Sequence, residues 1–304
     1  NRRDIKFLGR KKAFDNFTHR HLKLTSKVYH NIEELNEDKP IADIYIAGSD
    51  QIWNTEHGKG KDPAFYLDFV HDKQKCISYA ASFATEHIVK KYENFVKSCL
   101  NNFSSISVRE LTGVDIAKSL GYDVKRVLDP TFLLSKVEWE CMFSTISDSV
   151  RRKCGKKYVL LYNFVKDDKD VDDFAIKCAT EKDYNLISIN DGYIKHFADM
   201  NINNAGPIEF LYYIYNAELI ISNSFHATVF SIIFQKNFYT FPLKGATSSS
   251  RMKDLLKLLG LEYRFKENGR DIDIETIQWN SCETELAKQI LESKEWLLNA
   301  INKK

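Results

Sequence analysis

The sequence predicts an α/β protein of two Rossmann-like halves, each built on a parallel sheet. Three observations carry this prediction. The 304 residues amount to about two ordinary domains. From residue 42 onward, short β-branched and aromatic runs alternate with longer amphipathic stretches, as strands joined by crossover helices do. Residues 146–156, rich in Ser, Asp, Arg and Lys and containing Gly155, lack apolar periodicity. They read as the linker between domains 1–150 and 151–304.

In the first half, the apolar runs Ile44–Ala47, Cys76–Ala80, Ile106–Val108 and Val124–Leu128 are expected as strands. Helical spacing of apolar residues marks 86–101, 110–120 and 136–145. In the second half, Tyr158–Phe164, Leu186–Ile189, Leu219–Ser222 and Phe238–Phe241 read as strands, with helices near 168–182, 207–217 and 226–236. Two more helices are expected at Met252–Leu259 and Glu283–Ala300, the latter with Leu286, Ile290, Leu297 and Ile301 on one stripe. Two such halves imply a cleft, with ligands at the carboxyl ends of the strands.

Composition narrows the function classes. Forty-four Lys+Arg against 42 Asp+Glu, with 43% hydrophobic residues, is ordinary globular chemistry and argues against disorder and nucleic-acid coating. Residues 1–24 stand apart: eight Lys/Arg and two Asp/Glu give +6. That segment reads as a solvated lead or as peripheral contact with an anionic membrane or lipid-linked substrate. Apolar runs such as Val229–Phe234 fall far short of the roughly 20 residues of a membrane span, and no secretory leader is legible. The six cysteines form no C-x-x-C pair and read as buried free thiols of a soluble cytoplasmic protein.

The sharpest local feature is Ile220-Ile221-Ser222-Asn223-Ser224-Phe225-His226. A buried strand ends, small capping residues follow, and a helix opens at His226. Free amides of its first turn suit an anion, Ser222, Asn223 and Ser224 add donors, and an imidazole can move a proton near neutral pH. Core packing of this histidine is an equal alternative on spacing alone. At a second junction, after Phe241, the loop through Ser249 and Ser250 leads to Arg251, either a solvated N-terminal arginine or the wall of an anion pocket. Arg109 ends another strand and pairs either with a ligand anion or with an acid such as Glu110. The loop Ser49-Asp50-Gln51-Ile52-Trp53-Asn54 gathers amides, an acid and an indole that suit a sugar, or else a turn anchored by a buried tryptophan. Ser82 and Phe83 close a turn at the same sheet edge, with tight helix–sheet packing as the alternative. Asp170-Val171-Asp172 reads as a solvated helix start rather than a metal site. P-loop, dinucleotide, zincin and serine-hydrolase motifs are absent, and no pattern calls for a metal or resident cofactor.

Taken in order, Ala47-Gly48-Ser49-Asp50-Gln51-Ile52-Trp53-Asn54, Ser78-Tyr79-Ala80-Ala81-Ser82-Phe83, Ser107-Val108-Arg109-Glu110, Val127-Leu128-Asp129-Pro130-Thr131 and Ser222-Asn223-Ser224-Phe225-His226 resemble the polysaccharide pyruvyl transferase family. The resemblance runs from about Ile41 to Leu261. It implies a fold similar to the GT-B glycosyltransferases, and transfer of pyruvate from phosphoenolpyruvate, the co-substrate, onto two hydroxyls of a glycan or lipid-linked sugar as a cyclic ketal. It implies His226 as the proton donor, Asp50 as the base, and Arg109, Arg251, Ser222, Asn223, Ser224, Ser249 and Ser250 around the donor. Ser49, Gln51, Trp53, Asn54, Ser82 and Phe83 would meet the acceptor. Two departures are legible. The first strand and Gly-containing loop usual in the family are missing, so a first domain truncated at its N-terminus is expected. Ser224 stands where one branch has an arginine, and Arg251 is expected to supply the compensating charge. The competing readings are a GT-B glycosyltransferase using a nucleotide-sugar and a non-catalytic carbohydrate-binding protein.

Overall fold

The computed structural model describes all of the chain except residues 1, 191, 244–248, 270–273 and 304, with residues 2–7 described in backbone only. Its described strands form two all-parallel sheets, as the alternation of elements predicts. The first contains β1 (Tyr45–Ala47), β2 (Cys76–Ala81), β3 (Ser105–Val108) and β4 (Lys125–Arg126), in the order β1-β2-β3-β4. The second contains β5 (Tyr158–Tyr162), β6 (Asn185–Ile189), β7 (Met200–Ile202), β8 (Leu219–Ser222) and β9 (Asn237–Thr240), in the order β7-β6-β5-β8-β9. Every residue of β2 and β8 is buried. Parallel strands covered on both faces read as continuous apolar runs for this reason.

Contacts divide the chain into two compact units, and the division is discontinuous in sequence. The first-sheet unit comprises Thr25–Leu133, Thr247–Leu259 and Cys282–Lys304. The second-sheet unit comprises Asn1–Leu24, Leu134–Ala246 and Gly260–Ser281. The sequence reading 1–150 and 151–304 therefore differs at both ends: the opening segment belongs with the second sheet, and the C-terminal helix with the first. In the first-sheet unit, Ser293 of that helix (Asn280–Asn302) donates its hydroxyl proton to Gln289 O and accepts the N–H of Leu128.

Local differences have physical causes. The expected linker holds a short helix, Asp148–Lys153, whose Arg151 guanidinium donates to Phe143 O and Ile146 O. Strand β7 was not legible, because Met200-Asn201-Ile202 lacks the apolar run that marked β1 and β8. The helix expected over 86–101 occupies Glu93–Leu100. Residues 2–21 form a helix, most of whose described side chains are exposed. A Cβ on its Gly9 would meet the Asn204 side chain at 3.4 Å, and one on Gly206 would come within 2.7 Å of Ala13 Cβ. Asp172 also corrects the sequence reading: it is buried and pairs with Lys195, while burial raises its carboxyl above the usual range against the pull of that lysine. Cys76, Cys99, Cys178 and Cys282 are buried thiols as expected, whereas Cys141 is exposed and Cys154 half-buried.

Candidate functional site

In the second-sheet unit, the loop after β8 is built from internal hydrogen bonds. Ser222 Oγ donates to Tyr162 O (2.6 Å) and accepts the Ser224 N–H (3.0 Å). Asn223 Oδ1 accepts the Phe164 N–H at 3.0 Å, and its Nδ2 donates to Asn163 Oδ1 at 2.7 Å. Ser224 caps the helix Phe225–Ile233, accepting from the Ala227 N–H. All three are buried, so the expectation that they offer donors to a ligand is corrected: they hold the strand-to-helix turn in place. That turn presents one residue. Across 219–234, every side chain is buried except His226, which is half-buried.

His226 lines a cavity of about 260 Å³. Its walls are largely aromatic, among them Phe14, Trp139, Tyr162 and Phe210, and Asn190 and Asn203 contribute amides. Arg10 is the permanent charge among the described lining residues, which include no carboxylate. Burial raises the Tyr162 phenol, and the nearby Arg10 cation opposes that shift. Sequence reasoning missed Arg10 by treating residues 1–24 as one charged block. The available signal was the helical spacing of Gly9, Ala13 and Phe17, small and aromatic residues along one face.

The first-sheet unit carries a second polar cluster at the strand ends. Arg109, one residue past β3, donates through Nη1 to Asp129 Oδ2 at 2.6 Å and to Ser49 Oγ at 3.3 Å, and Ser49 Oγ donates to the same Asp129 oxygen at 2.9 Å. Glu110 and Asp50 stand 4.0 Å from other nitrogens of the guanidinium. Arg251, at the first turn of the helix Ser250–Leu258, is 7% exposed. Burial lowers its guanidinium to about 10, and the like charge of Arg109 adds to that shift while Glu110, Asp50 and Asp129 oppose it. A group titrating there still carries its charge at neutral pH, so two cations and three acids share one neighbourhood. Ser249 and Ser250 keep their hydroxyl oxygens buried at the helix start. The loop 244–248 before them, part of the junction singled out in the sequence, lies outside the described residues.

Asp50 is exposed and has φ of 91°. This left-handed backbone is costly for a non-glycine residue and persists where surroundings enforce it. Here the Asp50 carbonyl accepts from the Ser82 N–H at 3.0 Å and the Ile52 N–H at 2.8 Å. The rest of the expected sugar face is corrected. Trp53 is fully buried, stacked on Tyr66 with ring centroids 5.5 Å apart, and its indole N–H donates to Phe65 O. Phe83 is equally buried, while Ser82 donates to Glu110 Oε1 at 2.8 Å. Asn54 is buried and donates to Gln51 Oε1, leaving Ser49, Asp50 and Gln51 as the accessible part of the loop. The cations are divided between the two units. Arg251 keeps company with Arg109, whereas the cation sharing a cavity with His226 is Arg10.

The polysaccharide pyruvyl transferase family model matches residues 2–244, a span that includes the His226 turn, Arg10 and Arg109 with its acids, and ends before Arg251. The chain belongs to the polysaccharide pyruvyl transferase family. As a member of that family it is a transferase. No curated protein is significantly similar to the sequence. Among solved structures, this transferase is similar to the UDP-GlcNAc 2-epimerase of Neisseria meningitidis bound to UDP-GlcNAc, at TM-score 0.51 and 10% identity over 93% of this chain and 89% of that one. It is also similar to the UDP-GlcNAc 2-epimerase of Methanocaldococcus jannaschii, at TM-score 0.52 and 12% identity over 97% and 84%. The S. aureus MnaA–UDP structure gives TM-score 0.52 and 12% identity over 100% and 89%. At these identities the likeness concerns the fold: α/β and GT-B-like, as the sequence predicts. No described helix is long and apolar enough to cross a membrane.

Proposed function

We propose that the protein transfers pyruvate from phosphoenolpyruvate to two hydroxyls of a sugar, releasing inorganic phosphate and closing a cyclic ketal. The observation carrying this reading is the exposure of His226: in a member of this family, one titratable side chain emerges from an otherwise buried strand–helix junction into a cavity that also holds a cation. Protonated His226 delivers its proton to the methylene carbon of the donor, turning that carbon into a methyl group and C2 into an electrophile. A first hydroxyl adds to C2 and loses its proton. A second hydroxyl then displaces phosphate, forming the second C–O bond as the C–O bond to the phosphate ester oxygen breaks, and gives up its proton to the departing phosphate. Arg10 holds a donor anion beside His226. In the first-sheet unit Asp50, the exposed acid of its cluster, accepts a hydroxyl proton, and the buried Arg109 and Arg251 offset the charge of the acids around it. The exposed Lys11, Lys12 and Arg20 favour a lipid-linked substrate at an anionic membrane, each basic residue adding about 1 kcal/mol near the surface.

Replacing His226 with Ala removes the proton donor and leaves the Ser224 cap in place. Phosphate release with phosphoenolpyruvate and a glycan panel is expected to fall about 10²- to 10⁴-fold, with little change in thermal unfolding. Undiminished release would remove His226 from the mechanism. A nucleotide-sugar that raises the melting temperature where phosphoenolpyruvate does not would favour glycosyl transfer instead.

A further inference from the structure

Strand β5 carries two tyrosines on one face, and the fold treats them differently. Side chains alternate along a strand, so Tyr158 and Tyr162 project to the same side, and the helix Pro207–Asn216 covers both. The Tyr158 hydroxyl donates to Tyr213 O at 2.6 Å, one of the carbonyls that a helix leaves open at its end. The Tyr162 ring meets Phe210 edge-on, with centroids 4.9 Å apart. The helix therefore runs against the strand and brings its first turn toward Tyr162. A first turn presents N–H groups, which offer a phenol no acceptor. The Tyr162 hydroxyl accordingly has no hydrogen-bond partner among the described residues, and its oxygen is not sealed off. Buried phenols elsewhere in the chain find one: Tyr66 donates to Gly60 O and Tyr79 to Leu128 O, each at 3.0 Å. Tyr162 is also the half-buried residue of an otherwise buried strand. Its backbone is paired on both sides, with Ile189 of β6 and Ser222 of β8, so the surface it keeps belongs to the side chain, which lines the cavity with Arg10 and His226.

What this hydroxyl selects follows from its neighbours. Burial keeps the phenol in its neutral, proton-bearing form, and the charge that acts on it is the Arg10 cation. The described lining residues include no carboxylate to take its hydrogen bond. An oxyanion satisfies both groups at once, meeting the guanidinium by charge and the phenol by an O–H···O⁻ hydrogen bond, one of the short and strong kinds. Aromatic walls such as those of Trp139 and Phe210 exclude water and strengthen both contacts. We propose that Tyr162 binds the oxyanion that Arg10 holds, so that the cavity recognises its ligand by one permanent charge and one neutral donor. Identifying this oxyanion as the phosphate or the carboxylate of phosphoenolpyruvate rests on the pyruvyl-transfer reading, whereas the pairing of the two side chains on one anion does not.

The test is Tyr162→Phe in the full chain, which removes one oxygen and keeps the ring on Phe210. That oxygen makes no bond within the protein, so the melting temperature of the unliganded variant should match the parent. Phosphoenolpyruvate, inorganic phosphate and pyruvate are the probes, with binding read by calorimetry and by the shift in melting temperature. The parent is expected to bind phosphoenolpyruvate, and Tyr162→Phe to bind it about 10- to 100-fold more weakly, the effect of one hydrogen bond to a charged group. Tyr158→Phe is the counterpart: it loses a bond inside the protein, so its melting temperature should fall about 2–4 °C while its affinity for phosphoenolpyruvate stays at the parent value. Parental affinity in Tyr162→Phe for every probe that binds, or a parent that binds none of the three, would overturn the proposal. A loss shared with inorganic phosphate, or with pyruvate, would sustain it and assign the contact to that end of the donor. Phosphoenolpyruvate bound through Tyr162 with no phosphate released to any glycan would sustain it and defeat pyruvyl transfer. Pyruvyl transfer with undiminished affinity in Tyr162→Phe would do the reverse.

Discussion

Cutting the Arg109–Asp129 pair from either side should give unequal losses, because the two partners are supported differently. Both side chains are 2% exposed and meet at 2.6 Å. Asp129→Ala leaves a buried guanidinium leaning on Glu110 and Asp50, each 4.0 Å away. It also removes the acceptor for Ser49 Oγ, for the Thr131 N–H (3.1 Å) and for Thr131 Oγ1 (2.7 Å). Stranding a buried charge costs about 3–5 kcal/mol, or about 6–20 °C in melting temperature at 2–4 °C per kcal/mol. Arg109→Met leaves two buried carboxylates whose hydrogen-bond donors stay in place, Ser49 and Thr131 at Asp129 and Ser82 with the Phe83 and Ala84 N–H groups at Glu110, so the expected loss is smaller, about 1–3 kcal/mol. The double variant should lose less than the two single losses combined, since the contact between Arg109 and Asp129 is then lost only once. Urea denaturation followed by tryptophan fluorescence measures all three. A loss below about 1 kcal/mol for Asp129→Ala, or a larger loss for Arg109→Met than for Asp129→Ala, would refute the asymmetry and the reasoning behind it.

Trp53→Ala should cost about 3–5 kcal/mol in the same assay, because the indole is fully buried against Tyr66. Altered glycoside binding without that loss would restore Trp53 to a sugar site. Asp254 accepts the Leu111 N–H at 3.0 Å, and burial raises its carboxyl above the ordinary value. The charged form therefore penalises folding above the folded pKa, and the penalty fades as pH falls through it toward the unfolded value. Asp254→Asn, which keeps an acceptor, should be more stable than the parent at neutral pH and lose that advantage in acid, as read from pH-dependent denaturation. Cys141, the exposed thiol, should react first with a thiol reagent in the native protein, and Cys141→Ser should abolish the fast phase. Cys76, Cys99 and Cys178, pushed up to about 11, 12 and 12 by burial, should react only on unfolding.

The sequence by itself determined the class of fold and where on each sheet the polar residues would lie. Runs such as Leu219–Ser222 and Ser105–Val108 are local signals, and a strand that ends in small or charged residues marks its own carboxyl edge. Ser49, Asp50, Arg109 and His226 were legible in this way. Which of the edge residues face outward was decided by tertiary structure, because burial depends on distant partners. Trp53 turned inward to Tyr66, Ser82 to Glu110, and Arg109 found Asp129, itself bonded to Ser49 from 80 residues away. Arg10 reached the His226 cavity only because residues 2–21 pack as a helix on the second-sheet unit. The unmet hydroxyl of Tyr162 is likewise a tertiary fact: it exists because the helix Pro207–Asn216 brings Tyr213 O to Tyr158 and Phe210 to Tyr162, and no pattern along the chain encodes that crossing.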